Sequence, residues 1–256
     1  MRMLAGVFAL FILIGADGRG FAQQSDLVIG TEGSYPPFNF TDASGNLQGF
    51  DIDIAKALCV KLQANCRFVA QDWEGLIPAL LSKKIDAIVA SMSITEERMK
   101  VVAFTQRYYR TPARFVAPKS SHITDTSPDG LAGKSLGAQS STIHAKYLEE
   151  HYQESTIKLY GSHDTAMLDL AAGRIDAVLV QSTAVYDWLN KTPEGACCEF
   201  VGEPLSDPAY FGLGAGIAVR KEDEALREQL NQAIDAIRAD GTYQQINAKY
   251  FPFSIY

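Results

Sequence analysis

Along the chain, short and nearly continuous apolar runs alternate with stretches whose apolar residues return every three or four positions, which predicts strands and helices in turn. Ile85, Ala87, Ile88, Val89 and Ala90 make one such run, the pattern of a strand covered on both faces. Residues 52–62 are amphipathic and predict a helix that gives way to a strand at 67–69, and further helices are predicted over 75–81, 96–101, 143–151 and 164–172. Towards the C-terminus, Leu226, Leu230, Ala233, Ile234 and Ile237 mark an amphipathic helix ended by Asp240-Gly241, followed by a second over 242–250 and by Phe251-Pro252-Phe253. Strands and helices in alternation predict an α/β protein with mostly parallel sheet.

The pattern repeats once. Residues 76–89, L-I-P-A-L-L-S-K-K-I-D-A-I-V, line up with residues 166–179, A-M-L-D-L-A-A-G-R-I-D-A-V-L. Each reads as an amphipathic helix, a tight basic turn and a buried strand. Upstream, residues 28–34 (V-I-G-T-E-G-S) echo residues 136–142 (L-G-A-Q-S-S-T), both strands running into a small polar turn. Two copies predict two similar α/β lobes rather than a solenoid, which needs more repeats. Ligands of open α/β sheets bind beyond the carboxyl ends of strands. Those ends carry Glu32, Ala90-Ser91-Met92-Ser93, Ser140-Ser141-Thr142 and Gln181-Ser182. The run Gly212-Leu213-Gly214-Ala215-Gly216 precedes a strand instead of following one and opening a helix, so it is not a nucleotide loop. Its glycines are expected to give the backbone freedom where the chain changes lobes.

The first residues read differently. Met1-Arg2-Met3 is basic, an eleven-residue apolar run covers 4–14, and Gly20-Phe21-Ala22 offers small residues at the positions a signal peptidase reads. Eleven residues are too few to span a bilayer. Residues 1–22 are therefore read as a signal peptide and the remainder as an exported, soluble chain. Its removal moves the formal charge from −7 to −8, which offers no electrostatic footprint for nucleic acid or anionic lipid. Four cysteines in an exported chain favour disulfides over metal ligands. A bridge between Cys59 and Cys66 would staple a helix end to a strand start. Adjacent cysteines rarely bridge each other, so Cys197-Cys198 is read as one loop feature of unassigned redox state. No metal site is expected: there is no C-x-x-C, and His144 and His151 are read as part of a solvated helix face.

Chemistry gathers in residues 85–98, I-D-A-I-V-A-S-M-S-I-T-E-E-R. Thr95 is a good N-cap for a helix whose first turn carries Glu96, Glu97 and Arg98. A cation there opposes the helix dipole. Two readings stand: a surface arginine paired with Glu97 or the next turn, or a guanidinium that meets an anion together with Ser91, Ser93 and free N–H groups.

The runs G-T-E-G-S-Y-P-P-F (30–38), G-F-D-I-D-I-A (49–55), D-W-E-G-L-I-P-A-L (72–80), K-I-D-A-I-V-A-S-M-S-I-T-E-E-R (84–98), A-G-R-I-D-A (172–177), R-K-E-D (220–223) and D-G-T-Y (240–243) resemble the periplasmic solute-binding proteins of ABC transporters for polar amino acids. The resemblance is specifically to the lysine/arginine/ornithine, histidine and opine branch. The resemblance implies a two-lobed periplasmic-binding-protein fold of type II, with residues 25–110 and 215–256 in one lobe, 115–210 in the other, and two hinge strands between them. It implies that Arg98 binds a carboxylate with help from N–H or hydroxyl groups of Ser91 and Ser93, and that Ala90 contributes its carbonyl. Thr142 aligns with the second lobe's donor to that carboxylate, Tyr35 and Trp73 with aromatic rings flanking the ligand's side chain, and Glu32 with an acid for its distal cation. The spacing of Cys59 and Cys66 matches a disulfide of this branch. Position 181, an aspartate that grips the α-ammonium in these relatives, is Gln181 here. A neutral amide forgoes a charge-assisted contact worth about 1.5–3 kcal/mol, which leaves both a basic amino acid and an opine-type conjugate in play.

The implied partners are a small amino acid or opine ligand and an inner-membrane ABC permease, with a periplasmic monomer, no cofactor and no nucleic acid. The rivals are an exported dehydratase on the same fold, for which Glu32 is the candidate acid or base, and a ligand sensor that presents its closed form to a receptor. No G-x-S-x-G or H-E-x-x-H motif supports catalysis.

Overall fold

The computed structural model describes residues 26–256; the signal peptide read in residues 1–22 lies outside them. Two five-stranded sheets carry the two lobes. In the first, strand Asp26–Thr31 lies between parallel neighbours Asn65–Ala70 and Ala87–Ile88; Ala215–Val219 follows in antiparallel sense, and Ala103–Tyr109, antiparallel to it, runs with the first three. In the second, Ser135–Gln139 lies between parallel Thr156–Tyr160 and Ala177–Gln181, followed by antiparallel Ala113–Pro118 and then by Cys198–Leu205, which runs with the first three. The prediction of mostly parallel sheet therefore holds, since four of the five strands in each lobe run the same way. One strand in each, Ala215–Val219 in the first and Ala113–Pro118 in the second, reverses because the chain arrives there from the opposite lobe. It crosses twice, between Tyr109 and Ala113 and between Leu205 and Ala215.

The internal repeat has a physical cause. Asp86 accepts the Val28 N–H on a carboxylate oxygen at 2.9 Å while its own N–H donates to the Val28 carbonyl at 2.7 Å. Asp176 does the same with Ser135, at 2.7 and 2.8 Å. The isoleucine before each aspartate packs on a glycine of the central strand: a methyl group at Gly30 would collide with Ile85 Cδ1, and one at Gly137 with Ile175 Cδ1. The I-D-A tripeptide thus fixes the register of one strand against the next in both lobes. Only Ala87–Ile88 of the apolar run pairs as a strand, although Ile85 and Ala87 to Ala90 are all buried as predicted. Ser91, at φ 55°, turns the chain out of the sheet.

Two predicted helices appear with the expected ends, Ile143–His151 and Thr242–Tyr250, and the others with ends shifted: Phe50–Leu62, Leu76–Leu81 behind a 3-10 turn Trp73–Gly75, Glu96–Met99, His163–Ala171 and Glu224–Ala239. Phe50, Ile54 and Leu58 pack against Leu230, Ile234, Ile237 and Tyr243 to fill the first lobe. Phe115, Leu136, Leu148, Tyr152 and Leu179 fill the second. A disulfide joins Cys59 to Cys66, from the end of Phe50–Leu62 to the start of Asn65–Ala70. Cys197 and Cys198 are bonded to each other, against the expectation for neighbours. The glycines of 212–216 supply the expected backbone freedom and close packing as well. Gly212 and Gly214 hold φ of 71° and 113°, where a side chain would meet the Ile94 and Tyr109 carbonyls.

Candidate functional site

The carboxyl ends of the strands meet in one cavity between the lobes. All nine predicted residues line it: Glu32, Tyr35, Trp73, Ala90, Ser91, Ser93 and Arg98 from the first lobe, Thr142 and Gln181 from the second. Gln139, His144 and His163 join them and were not anticipated.

Thr95 caps the four-residue helix Glu96–Met99, its hydroxyl accepting the Arg98 N–H at 3.2 Å. The Arg98 side chain is thereby carried back over the turn into the cleft. Its Nη1 donates to the Ser93 carbonyl at 3.0 Å, and its guanidinium lies 5.2 Å from the centre of the Trp73 ring. Glu97 turns away and pairs with Lys146, so the surface-pair reading of Arg98 fails. Burial pulls the Arg98 guanidinium down to about 10, still protonated at neutral pH. No acid of the described residues forms an ion pair with it.

Glu32 is the cavity's one acid. It is 8 % exposed, accepts from the Ser34 hydroxyl at 3.1 Å and from Gln139 Nε2 at 2.5 Å, and faces no Lys or Arg at ion-pair distance. Burial raises its carboxyl above the ordinary value of 4.5, with the Gln139 and Ser34 hydrogen bonds opposing. His163 is buried and His144 half-buried, and desolvation pulls them down to about 4 and about 3. His144 thus corrects the reading of a solvated histidine face. His151 packs instead between the Tyr147 and Tyr210 rings, each 4.6 Å away.

Two expected roles change in detail. Ser91 spends its N–H on the Tyr108 hydroxyl at 3.0 Å and its own hydroxyl on Asp51 at 2.8 Å, so neither is left for a ligand. Asp51, which also accepts from Tyr108 and Asn39, is pushed up to about 6 by burial. Ser93 keeps its N–H and hydroxyl available beside Arg98, only its carbonyl being engaged there. Thr142 uses its hydroxyl to accept from Ala145 N at 3.1 Å and to donate to the Gln139 carbonyl at 2.7 Å. What that end of helix Ile143–His151 offers the cavity is its free first-turn N–H groups.

The lobes touch directly around the cavity. Gln139 reaches Glu32, Trp73 Nε1 donates to the Ser141 carbonyl at 3.1 Å, and the Ser140 and Ser141 hydroxyls donate to Glu74 at 2.7 and 3.0 Å. Tyr35 donates to Gln181 Oε1 at 3.3 Å and lies edge-on to His163 at 5.4 Å. The cleft is closed, and its walls come from both lobes.

The model of the bacterial extracellular solute-binding proteins, family 3, matches residues 27–253. The chain is 44 % identical to an L-arginine-binding protein of Pseudomonas aeruginosa over 238 residues, covering 92 % of each. Among solved structures, a Salmonella typhimurium periplasmic binding protein described for high arginine specificity superposes with a TM-score of 0.81 at 38 % identity, over 89 % of this chain and 99 % of that one. A periplasmic His/Glu/Gln/Arg/opine family-binding protein of Silicibacter pomeroyi, in complex with lysine, gives 0.78 at 31 %, over 90 % and 100 %.

Proposed function

Because the chain belongs to the bacterial extracellular solute-binding proteins, family 3, we propose that it captures a cationic amino acid or an opine-type conjugate in the periplasm and presents its closed form to an ABC permease. One observation carries the reading: the closed cleft holds one guanidinium and one carboxylate, neither paired with an opposite charge among the described residues. Desolvated charges without partners are costly. A guest with a carboxylate and a distal cation relieves both at once.

Arg98, Ser93 and the N-terminus of helix Ile143–His151 take the carboxylate, and Glu32 takes the cation. Tyr35 and Trp73 cover the stem between them. A micromolar dissociation constant corresponds to about −8 kcal/mol, within reach of two desolvated charge pairs and aromatic packing. The lobes, 25–110 with 215–256 and 115–210, close as bodies because the guest gains contacts from both. The protein acts as a monomer and a binder. Its relatives are binding proteins, which disfavours a dehydratase with Glu32 as acid or base. No helix of the described residues is long and apolar enough to cross a membrane.

The test is calorimetry of the purified protein with arginine, lysine, ornithine, histidine and opines, with mass spectrometry of the recovered ligand. Micromolar or tighter binding of a cationic member, recovered unchanged, is expected. Absence of binding across the panel, or turnover of a bound compound, overturns the reading.

A further inference from the structure

The cavity wall carries as many cations as anions. Its titratable side chains are Glu32, Tyr35, Arg98, His144 and His163. Arg98 is protonated and Glu32 is the one acid, while burial holds the Tyr35 hydroxyl well above its ordinary value and keeps both histidines neutral. With Glu32 ionised, the wall presents one positive and one negative group and no net charge. Asp51 stands behind it, outside the lining, and its two oxygens already accept from Asn39, Ser91 and Tyr108.

Such a wall matches a guest with one carboxylate and one cation. An α-amino acid with a cationic side chain brings a further charge, the α-ammonium. Glu32 cannot serve both cations, because the stem covered by Tyr35 and Trp73 holds them apart. The α-ammonium shares a carbon with the carboxylate, so it is carried to the Arg98 end, where a guanidinium repels it. The neutral oxygens it could use instead are largely engaged. The Ser91 hydroxyl donates to Asp51 and the Thr142 hydroxyl to the Gln139 carbonyl. Gln181 Oε1 accepts from the Tyr35 and Tyr109 hydroxyls, each at 3.3 Å, and its Nε2 donates to the Thr111 hydroxyl at 2.7 Å. An ammonium moved from water into a closed site without an anion loses more than neutral acceptors return. A guest without that group escapes the cost and keeps every contact assigned to Arg98, Glu32 and the two rings.

We infer that the cleft takes ω-guanidino and ω-amino carboxylic acids that have no α-amino group, and holds them at least as tightly as the matching α-amino acids. The inference rests on the proposed roles of Arg98 and Glu32 and adds a class of guest to those they serve. Gln181 is the residue that admits this class, since an acid at that position would be left unpaired by it.

Calorimetry of the wild-type protein with arginine, 5-guanidinopentanoate and agmatine tests this, the second being arginine without its α-amino group and the third arginine without its carboxylate. 5-Guanidinopentanoate is expected to match or exceed arginine, and agmatine to bind about 100-fold or more weaker because Arg98 loses its partner. Gln181→Asp, with a melting temperature that verifies the fold, should turn the preference towards arginine by about tenfold, the scale of one charge-assisted contact. The wild-type ratio decides without the variant. Arginine binding wild type more tightly than 5-guanidinopentanoate, or a preference that folded Gln181→Asp does not move, overturns the inference while the main cavity stands. Binding of α-N-(1-carboxyethyl)arginine with neither guanidino acid bound overturns it in the same way. Failure of every ligand, or agmatine binding as tightly as the two acids, brings down the main reading and the inference together.

Discussion

At the tip of its central strand the first lobe carries Glu32, and the second carries Gln139 at the matching position, since Gly30 pairs with Ile88 as Gly137 pairs with Val178. The two side chains meet across the cleft. The same difference runs through the site: the first lobe supplies the charges and the large rings, Glu32, Arg98, Tyr35 and Trp73, and the second supplies neutral amides, imidazoles and helix N–H groups. Scaffold positions such as Ile85-Asp86 and Ile175-Asp176 are alike because they set strand register. Strand ends are free to differ because no core packing depends on them. In the proposed binding role, a site divided in this way would read ligand charge with one lobe and close on it with the other.

The largest test of that division is Arg98→Ala. It removes the cavity's permanent cation, and about 100-fold or more of affinity for any carboxylate ligand should go with it, as when one partner of a desolvated pair is deleted. Thr142→Ala, on the neutral side, keeps the helix N–H groups and should lose far less. Comparable losses by calorimetry would dissolve the distinction between the lobes.

Glu32→Gln comes next, with an expected loss of about 10- to 100-fold for cationic ligands and little for neutral ones. Its pH dependence has a definite sign. Burial raises the Glu32 carboxyl above 4.5, and only the ionised form pairs with a cation. Affinity should therefore climb as pH rises through the raised value and level off above it, and the dependence should vanish in Glu32→Gln. Without ligand the same shift works against folding: Glu32 contributes stability below about pH 4.5 that is lost as pH rises through its folded value. The variant should accordingly melt higher than wild type at neutral pH when empty. A lower melting point would mean that Glu32 is structural.

The repeated aspartates offer a smaller and purely structural contrast. Asp176→Ala removes the acceptor for Ser135 N–H and should cost about 1–3 kcal/mol. Asp86→Ala removes the equivalent acceptor and also one of two acids on buried Arg220, which sits 3.0 Å from Asp86 and 2.6 Å from Asp223. Arg220 further clamps the Leu80 and Ile85 carbonyls. Urea unfolding should show Asp86→Ala about 1–2 kcal/mol the worse of the two. Equal costs would make Asp223 the sufficient partner.

Periodicity carried most of the architecture: every predicted helix is present, and the repeat of residues 76–89 and 166–179 is a true structural equivalence. The upstream echo was off by one residue. Aligned as text, Ile29 matches Gly137; aligned by pairing, Ile29 matches Leu136 and Glu32 matches Gln139. Strand side chains alternate faces, so this single step decides which residues face each other, and small polar turns carry too little pattern to fix it. The nine candidate residues share a cavity because strand ends and a four-residue helix bring them there. His163 left no trace in the sequence, since a histidine behind the Ser162 cap of His163–Ala171 looks like any first-turn residue. His144 had a signal: it lies two residues past Thr142, which the resemblance places in the site and which caps its helix, so its turn opens on the cleft.

Gln181→Asp should have the smallest effect, and it bears on which lobe reads charge. A carboxylate at 181 would give the second lobe an anion of its own beside the ligand nitrogen. The gain is limited, because the new side chain loses the donor to Thr111 and must itself be desolvated, while the Tyr35 and Tyr109 hydroxyls still donate to it. Affinity for free arginine should therefore improve by about three- to tenfold relative to α-N-(1-carboxyethyl)arginine, the equivalent of roughly one hydrogen bond to a charged group. The ratio is the informative quantity, since a general loosening of the hinge would shift both ligands together. An unchanged ratio would mean that position 181 does not sit at the nitrogen, and that the charge-reading role of the first lobe is insensitive to what the second lobe carries there.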